Sequence, residues 1–365
     1  MDRRAFLKTG SLIPAAALTG LPRVAAASAP GQWRVFEVST QAEVEFPAGV
    51  TRIWLPVPLA TDTRYQKSLG NTWSAEGGKA AYTADTKYSM GVVHAEFPES
   101  VKKPALTVVS RFATVERDHA VDVSRTGPVV RENPAVLRLN LQPTELIPTD
   151  GIVRETARAV VKGAKTDLEK ARAIYEWVVE NTYREPTVRG CGWGDIKSML
   201  ETKNFGGKCG DLNAMFVGLA RAAGVPARDV YGIRVARSQY GYASLGVGSP
   251  NITRAQHCRA EFYSPAHGWV PVDPADVRKV ILEEPPGKLA VTDDKVVAAR
   301  KRLFGSWEMN WLAYNYAHDV QLPGGKAVKI PYFMYPNGET AQGRLDQLDP
   351  DSFKYTITAR ELKSA

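Results

Sequence analysis

Three cysteines and five histidines bound the nucleophilic chemistry open to this 365-residue chain. Covalent acyl transfer needs a thiol, a base, and a group that orients the base. Cys209 stands in Gly206-Gly207-Lys208-Cys209-Gly210-Asp211, just before an apolar-periodic run of Leu212, Met215, Phe216, Leu219 and Ala223. Glycines let another segment approach closely. A helix N-terminus carries partial positive charge and free N–H groups, which lower a thiol pKa and can hold an oxyanion. A buried structural thiol is the commoner fate of a cysteine, and the local sequence leaves both readings open. His257 opens the run His257-Cys258-Arg259-Ala260-Glu261-Phe262-Tyr263, and after a turn at 264–268 the chain returns as Trp269-Val-Pro-Val-Asp273. In a hairpin Asp273 lies beside His257 and can fix its tautomer. A surface histidine near a turn aspartate would carry the same pattern.

The other thiols bear on the same chemistry. Cys191, Cys209, His257 and Cys258 make four soft ligands by count. Adjacent residues of a strand point to opposite faces, and the spacings lack Cys-x2-Cys, so no metal site is expected. If Cys258 faces away from the site, it is buried or pairs with Cys191, and Cys209 stays free. A Cys191–Cys209 disulfide would block it. No P-loop, dinucleotide fingerprint or His-Glu-x-x-His motif is present, and no cofactor is expected.

Distinct elements must position these residues. Residues 33–117 alternate with period two in Trp33–Val38 and Val92–Phe97, with turn residues between, which predicts an antiparallel β-sandwich. Pro56 and Pro58 suggest that their strand is an edge. Residues 118–149 read as a connecting arm. Helices are predicted from about 152 to 161, from a Thr166-Asp-Leu-Glu169 capping box onward, and from about 209 to 223. Strands are predicted at 229–235, 257–263 and 269–272, with a Gly/Ser/Tyr-rich loop at 238–252 and a loop at 281–290. Trp307, Met309, Trp311, Tyr314 and Tyr316 cluster at helical spacing and suggest core, or else a wall of the cleft. Asn337-Gly338 suggests a turn. Residues 150–280 would form the α+β core, and 281–365 an extension with strands packing on it.

Composition narrows the class. Hydrophobic residues make up 44% and charged residues 24%, an ordinary globular balance. The chain opens Met-Asp-Arg3-Arg4-Ala-Phe6-Leu7-Lys8, followed by a short apolar stretch and Ala25-Ala26-Ala27. This reads as a leader over residues 1–27, and Arg-Arg-x-Phe-Leu-Lys resembles a twin-arginine signal, implying a periplasmic or secreted protein. Without it the chain keeps 43 basic and 38 acidic residues. That mild excess has no basic block, which argues against nucleic acid. No apolar stretch is long enough for a membrane span.

Together, Lys208-Cys209-Gly210-Asp211 through Arg228, the His257…Glu261-Phe262-Tyr263 block and Gly268-Trp269-Val-Pro-Val-Asp273-Pro274 resemble the transglutaminase-like superfamily over roughly 145–275. Thr51-Arg-Ile-Trp-Leu-Pro-Val-Pro58 resembles, more weakly, the β domain that precedes this module in bacterial members. The resemblance implies an α+β fold, an N-terminal sandwich followed by a papain-like module. It implies Cys209 as nucleophile, His257 as base and acid, and Asp273 as orienter. Trp193, in Trp193-Gly-Asp-Ile-Lys-Ser, resembles a tryptophan whose N–H serves the oxyanion, with cleft packing as the other reading; the Cys209 N–H is the second oxyanion candidate. Asp211 is expected to hold backbone at the helix start, and Arg228 to form a structural ion pair. Many members carry tryptophan two residues after the histidine. Here Arg259 stands there, suggesting a positive charge that prefers acidic substrates, or a partner for Glu261.

The implied activity is hydrolysis of an amide or peptide bond through a thioester, on a peptide or protein substrate, cell-envelope material included. A crosslinking transglutaminase, a non-catalytic envelope binding protein and a thiol-carrier role remain open alternatives.

Overall fold

The computed structural model describes residues 32–118, 129–351 and 353–362. The expected leader and residues 119–128 of the connecting arm, His119 among them, lie outside the described residues.

The alternating N-terminal runs form six strands: β1 (Arg34–Glu43), β2 (Thr51–Pro56), β3 (Gln66–Ser74), β4 (Lys79–Asp85), β5 (Met90–Phe97) and β6 (Ala105–Thr114). They divide between two antiparallel sheets. Inward residues of one sheet (Phe36, Val38, Leu106, Phe112) and of the other (Ile53, Leu55, Val93, Phe97) share one buried cluster, as the period of two requires. The tail completes both sheets. Lys354–Leu362 pairs along β1 from Val35 to Glu43, and Asn337–Thr340 pairs with β2. The 281–365 segment is therefore shared between modules and does not simply pack on the core. Asn337 and Gly338 lie within a strand, not a turn. β2 is interior, not an edge: the tail strand bonds Arg52 to Trp54 only, so Pro56 has no partner there to disappoint.

Helices α1 (Pro134–Leu139), α2 (Gly151–Val160), α3 (Asp167–Asn181), α4 (Ile196–Thr202), α5 (Cys209–Ala222), α6 (Pro274–Glu283) and α7 (Asp294–Arg302) follow. The capping box at Thr166 starts α3, with Thr166 Oγ1 accepting from Glu169 N and Glu169 Oε2 accepting from Thr166 N at 2.9 Å. α5 is buried from Cys209 to Arg221. It packs on α2, α3 and α6 and on the strand Arg259–Ser264. Each of its large apolar side chains contributes about 1.5–3 kcal/mol by burial.

Beside α5 runs an antiparallel sheet in the order Gly268–Val272, Arg259–Ser264, Ala227–Arg234, Trp311–Asn315. Its last strand comes from the aromatic cluster, which is core as expected, but in strands and not in a helix. α6 was not expected. Its start carries a legible signature, a capping aspartate followed by proline at the first turn.

One buried ion network joins the sandwich to this sheet. Glu261, fully buried, accepts from Arg117, which follows β6, and from Arg228 Nε at 2.6 Å. Arg117 lies over Tyr65 and Trp307, and Arg228 between Trp269 and Tyr316. Burial would raise the Glu261 carboxyl, but the two guanidinium groups hold it below the usual range. Arg259 takes no part. No helix among the described residues is long and apolar enough to cross a membrane.

Candidate active site

The start of α5 is fixed by a tight polar clamp. Asp211 accepts from Lys208 N and Gly194 N, each at 2.9 Å. Gly210 N donates to Cys191 O at 2.7 Å. Gly192 sits at φ +88°, and a Cβ there would lie 1.8 Å from Asp211 Oδ2, so this loop can close on the helix only with glycine. Cys209 is thereby held as the first helical residue. Its N–H lies among those that a helix leaves without an internal acceptor.

The Cys209 sulfur lies in a cleft of about 420 Å³ also lined by His257. The neighbouring Cys191 and Cys258 side chains hold this thiol well below its ordinary pKa. A hydrogen bond and positive charge from His257 add to them, against the opposing effect of burial.

His257 is anchored through its backbone. Its N–H donates to Gly232 O at 2.9 Å, and Trp311 Nε1 donates to His257 O at 2.9 Å. Its Nε2 stands 2.8 Å from Asp273 Oδ2 and 3.4 Å from Asp276 Oδ1, leaving Nδ1 as the other ring nitrogen. Burial and the charge of Arg234 press the imidazole pKa down. Asp276 and Asp273 outweigh them, and it stands at about 9.

Asp273 is fully buried and caps α6, its Oδ1 accepting from Asp276 N at 3.0 Å and from Asn213 Nδ2 at 3.4 Å. Burial, and then the like charge of Asp276, raise its carboxyl. Asp276 goes the other way despite burial. Arg234 Nη2 donates to both its oxygens, at 2.6 and 2.8 Å, and holds it well below the usual range. The histidine thus faces two carboxylates, one compensated by an arginine and one directed at the ring. Such an arrangement can maintain a thiolate beside an imidazolium, the ground state for attack on a carbonyl carbon.

The structure brings Cys209, His257 and Asp273 together, sets Arg259 behind Asp273, and leaves Trp193 outside the cleft lining. Arg259 is 1% exposed and does not line the cleft. Its Nη1 donates to Glu308 O at 2.8 Å, its Nε is 3.6 Å from Asp273 Oδ2, and it lies over the Trp311 ring. It supports Asp273 from behind. Burial lowers its pKa to about 10, so it stays charged at neutral pH. Trp193 is 63% exposed and outside the cleft lining.

Cys258 overturns the expectation that it faces away. The strand starts only at Arg259, so strict alternation does not reach the 257–258 pair. The Cys258 Sγ lies 3.6 Å from the Cys209 Sγ. The Cys191 thiol donates to Gln256 O at 3.4 Å. All three cysteines are free and buried, and their sulfurs lie within 4.8 Å of one another.

Sequence reasoning missed Asp276, Arg234 and Asn213. Asp276 was within reach: it falls one turn after the capping Asp273, on the same helix face. It also missed the tail residues Tyr335, Leu348 and Tyr355, which wall the cleft from far along the chain. Arg184, Lys208, Arg234, Arg254 and Lys279 line the cleft, and no carboxylate among the described residues does.

Residues 154–274 match the family model described as "Transglutaminase-like superfamily". An uncharacterised protein of Haemophilus influenzae is 37% identical over 329 residues, covering 86% of this chain and 87% of that protein. Among solved structures, a candidate cysteine protease from Cytophaga hutchinsonii superimposes with a TM-score of 0.50 at 15% identity, over 90% of this chain and 98% of that one. The periplasmic domain of TgpA from Pseudomonas aeruginosa gives a TM-score of 0.33 at 15% identity, over 71% and 93%.

Proposed function

The chain belongs to the transglutaminase-like superfamily, and from that premise we propose that it is a cysteine-dependent acyl-transfer enzyme that hydrolyses amide or peptide bonds. The observation that carries this reading is Cys209 at a helix start, lining one cleft with a histidine whose Nε2 is held 2.8 Å from a buried aspartate. The Cys209 thiolate attacks the carbonyl carbon, and the Cys209 N–H donates to the developing oxyanion. The His257 imidazolium gives its proton to the departing amine. Neutral His257 then takes a proton from water as it attacks the thioester, releasing the acid and restoring the thiolate. Asp273 holds the ring through Nε2, leaving Nδ1 for the sulfur and for the transferred proton. Peptides and proteins of the cell envelope are the proposed substrates. The twin-arginine-like leader supports a periplasmic or secreted location, which fractionation of cells producing the full chain would test.

The decisive experiment is the rate of iodoacetamide alkylation at Cys209 against pH, read by peptide mass spectrometry, in wild type and His257→Ala. Reaction well below the free-thiol pKa of about 8.5, lost in the variant, supports the reading. Equal, free-thiol behaviour in both proteins refutes it and favours a binding scaffold. Hydroxylamine offered with a cleavable amide separates transamidation from hydrolysis.

A further inference from the structure

The proposed acyl transfer uses one sulfur, yet three converge. Cys191 comes from the loop clamped against α5, Cys209 from the first turn of α5, and Cys258 from the residue preceding the sheet strand. All three are buried and free, each pair of sulfurs within 4.8 Å and the nearest pair at 3.6 Å. Thiolates bind zinc at about 2.3 Å, which puts the sulfurs of one coordination sphere about 3.7–4.0 Å apart. The observed spread brackets that separation, so each sulfur needs to move by less than about 1 Å.

We propose that Cys191, Cys209 and Cys258 form a binding site for a thiophilic divalent d10 cation, zinc in the cell, which captures the nucleophile reversibly. The three sulfurs leave the fourth tetrahedral position to water; His257, held at Nε2 by Asp273, lines the same cleft outside the sulfur cluster. Cys209 enters as thiolate. Cys191 and Cys258 release their thiol protons to solvent on binding. Three thiolates leave the complex with one negative charge, which Arg184, Arg234 and Lys279 along the cleft compensate. Soft thiolate donors discriminate against magnesium and calcium.

Cadmium(II) is the probe. The full chain is reduced, freed of reductant without oxygen, and titrated while the ultraviolet thiolate-to-cadmium band is followed. The expected result is one cadmium per chain, with all three cysteines protected from alkylation. Cys191→Ser and Cys258→Ser are each expected to weaken binding by at least about a hundredfold, since losing only an outer-sphere partner costs about 10–100-fold. Absence of the band at stoichiometric metal, protection of Cys209 alone, or a band indifferent to both serine variants would overturn the proposal. If a serine variant misfolds by circular dichroism, the wild-type count of protected thiols still decides. Only the inhibitory consequence rests on the acyl-transfer reading. The metal-free alkylation profile tests that reading separately, so either can fail while the other stands.

Discussion

Replacing Asp273 by asparagine isolates its charge from its structural duty. Asparagine caps helices as well as aspartate does, so Oδ1 can keep accepting from Asp276 N, now at 3.0 Å, and α6 should survive. The charge on His257 changes. Its pKa of about 9 against an ordinary 6.5 corresponds to about 3 kcal/mol favouring the imidazolium. Burial and Arg234 oppose this, and Asp276 and Asp273 together supply it. Asp276 is farther from Nε2, 3.4 against 2.8 Å, and is shared with Arg234. A third to a half of this net is about 1–1.5 kcal/mol, and because the carboxylates also offset burial and Arg234, the loss on removing the Asp273 charge is at least roughly one pH unit. In wild type, Cys209 alkylation should rise once as the thiolate forms and again near pH 9, as the imidazolium is lost and the thiolate is freed from its pair. In Asp273→Asn the upper step should move to about pH 8 or below. The lower step should lose amplitude, because a larger share of the singly deprotonated pair is then neutral thiol with neutral imidazole. Turnover of a cleavable amide should fall by about 10²–10⁴, the usual contribution of positioned proton transfer. A profile superimposable on wild type, with α6 intact by circular dichroism, would show that Asp276 alone sets the charge of the histidine and would refute the role given to Asp273.

Three further outcomes are expected. Glu261→Gln leaves Arg117 and Arg228 buried without their counter-charge and should destabilise the protein by about 3–5 kcal/mol in urea; a loss below about 1 kcal/mol contradicts the network. Because Asp276 and Glu261 are both depressed in the fold, their stabilisation is present above the unfolded carboxylate range of about 4 and is lost as pH falls through their lower folded values. Melting temperature should therefore hold down to about pH 5 and drop below pH 4, less steeply in Glu261→Gln. Gly192→Ala drives a Cβ onto Asp211 and should abolish the low-pH alkylation of Cys209 while leaving most secondary structure; retention of that reactivity would show the clamp to be dispensable.

How much was legible follows from how local each signal is. The capping box of α3, the α5 start and the 257–273 hairpin are each written within about twenty residues, and they formed where periodicity and caps placed them. Cys258 was misread because alternation was carried one residue past the end of its strand. Arg259 was misread because burial behind Asp273, under Trp311, depends on a strand some fifty residues later. Trp307 to Tyr316 were assigned the wrong period, since spacings of three and four also occur across two short strands. The tail pairings with β1 and β2 had no local signature at all; only register across the sheets shows them.

The pairing of Lys354–Leu362 with β1 also sets an order of events. The Arg34–Glu361 contact closes a separation of 327 positions, among the longest loops the chain can form. During translation β1 emerges early, and the strand that covers one of its edges is made more than three hundred residues later, a delay of roughly 15–60 s at common elongation rates of about 5–20 residues per second. Throughout that interval β1 has one row of backbone donors and acceptors open to any passing strand. The sandwich is first in the sequence and last to be finished, so a ribosome that stalls before residue 354 releases a chain with an adhesive edge.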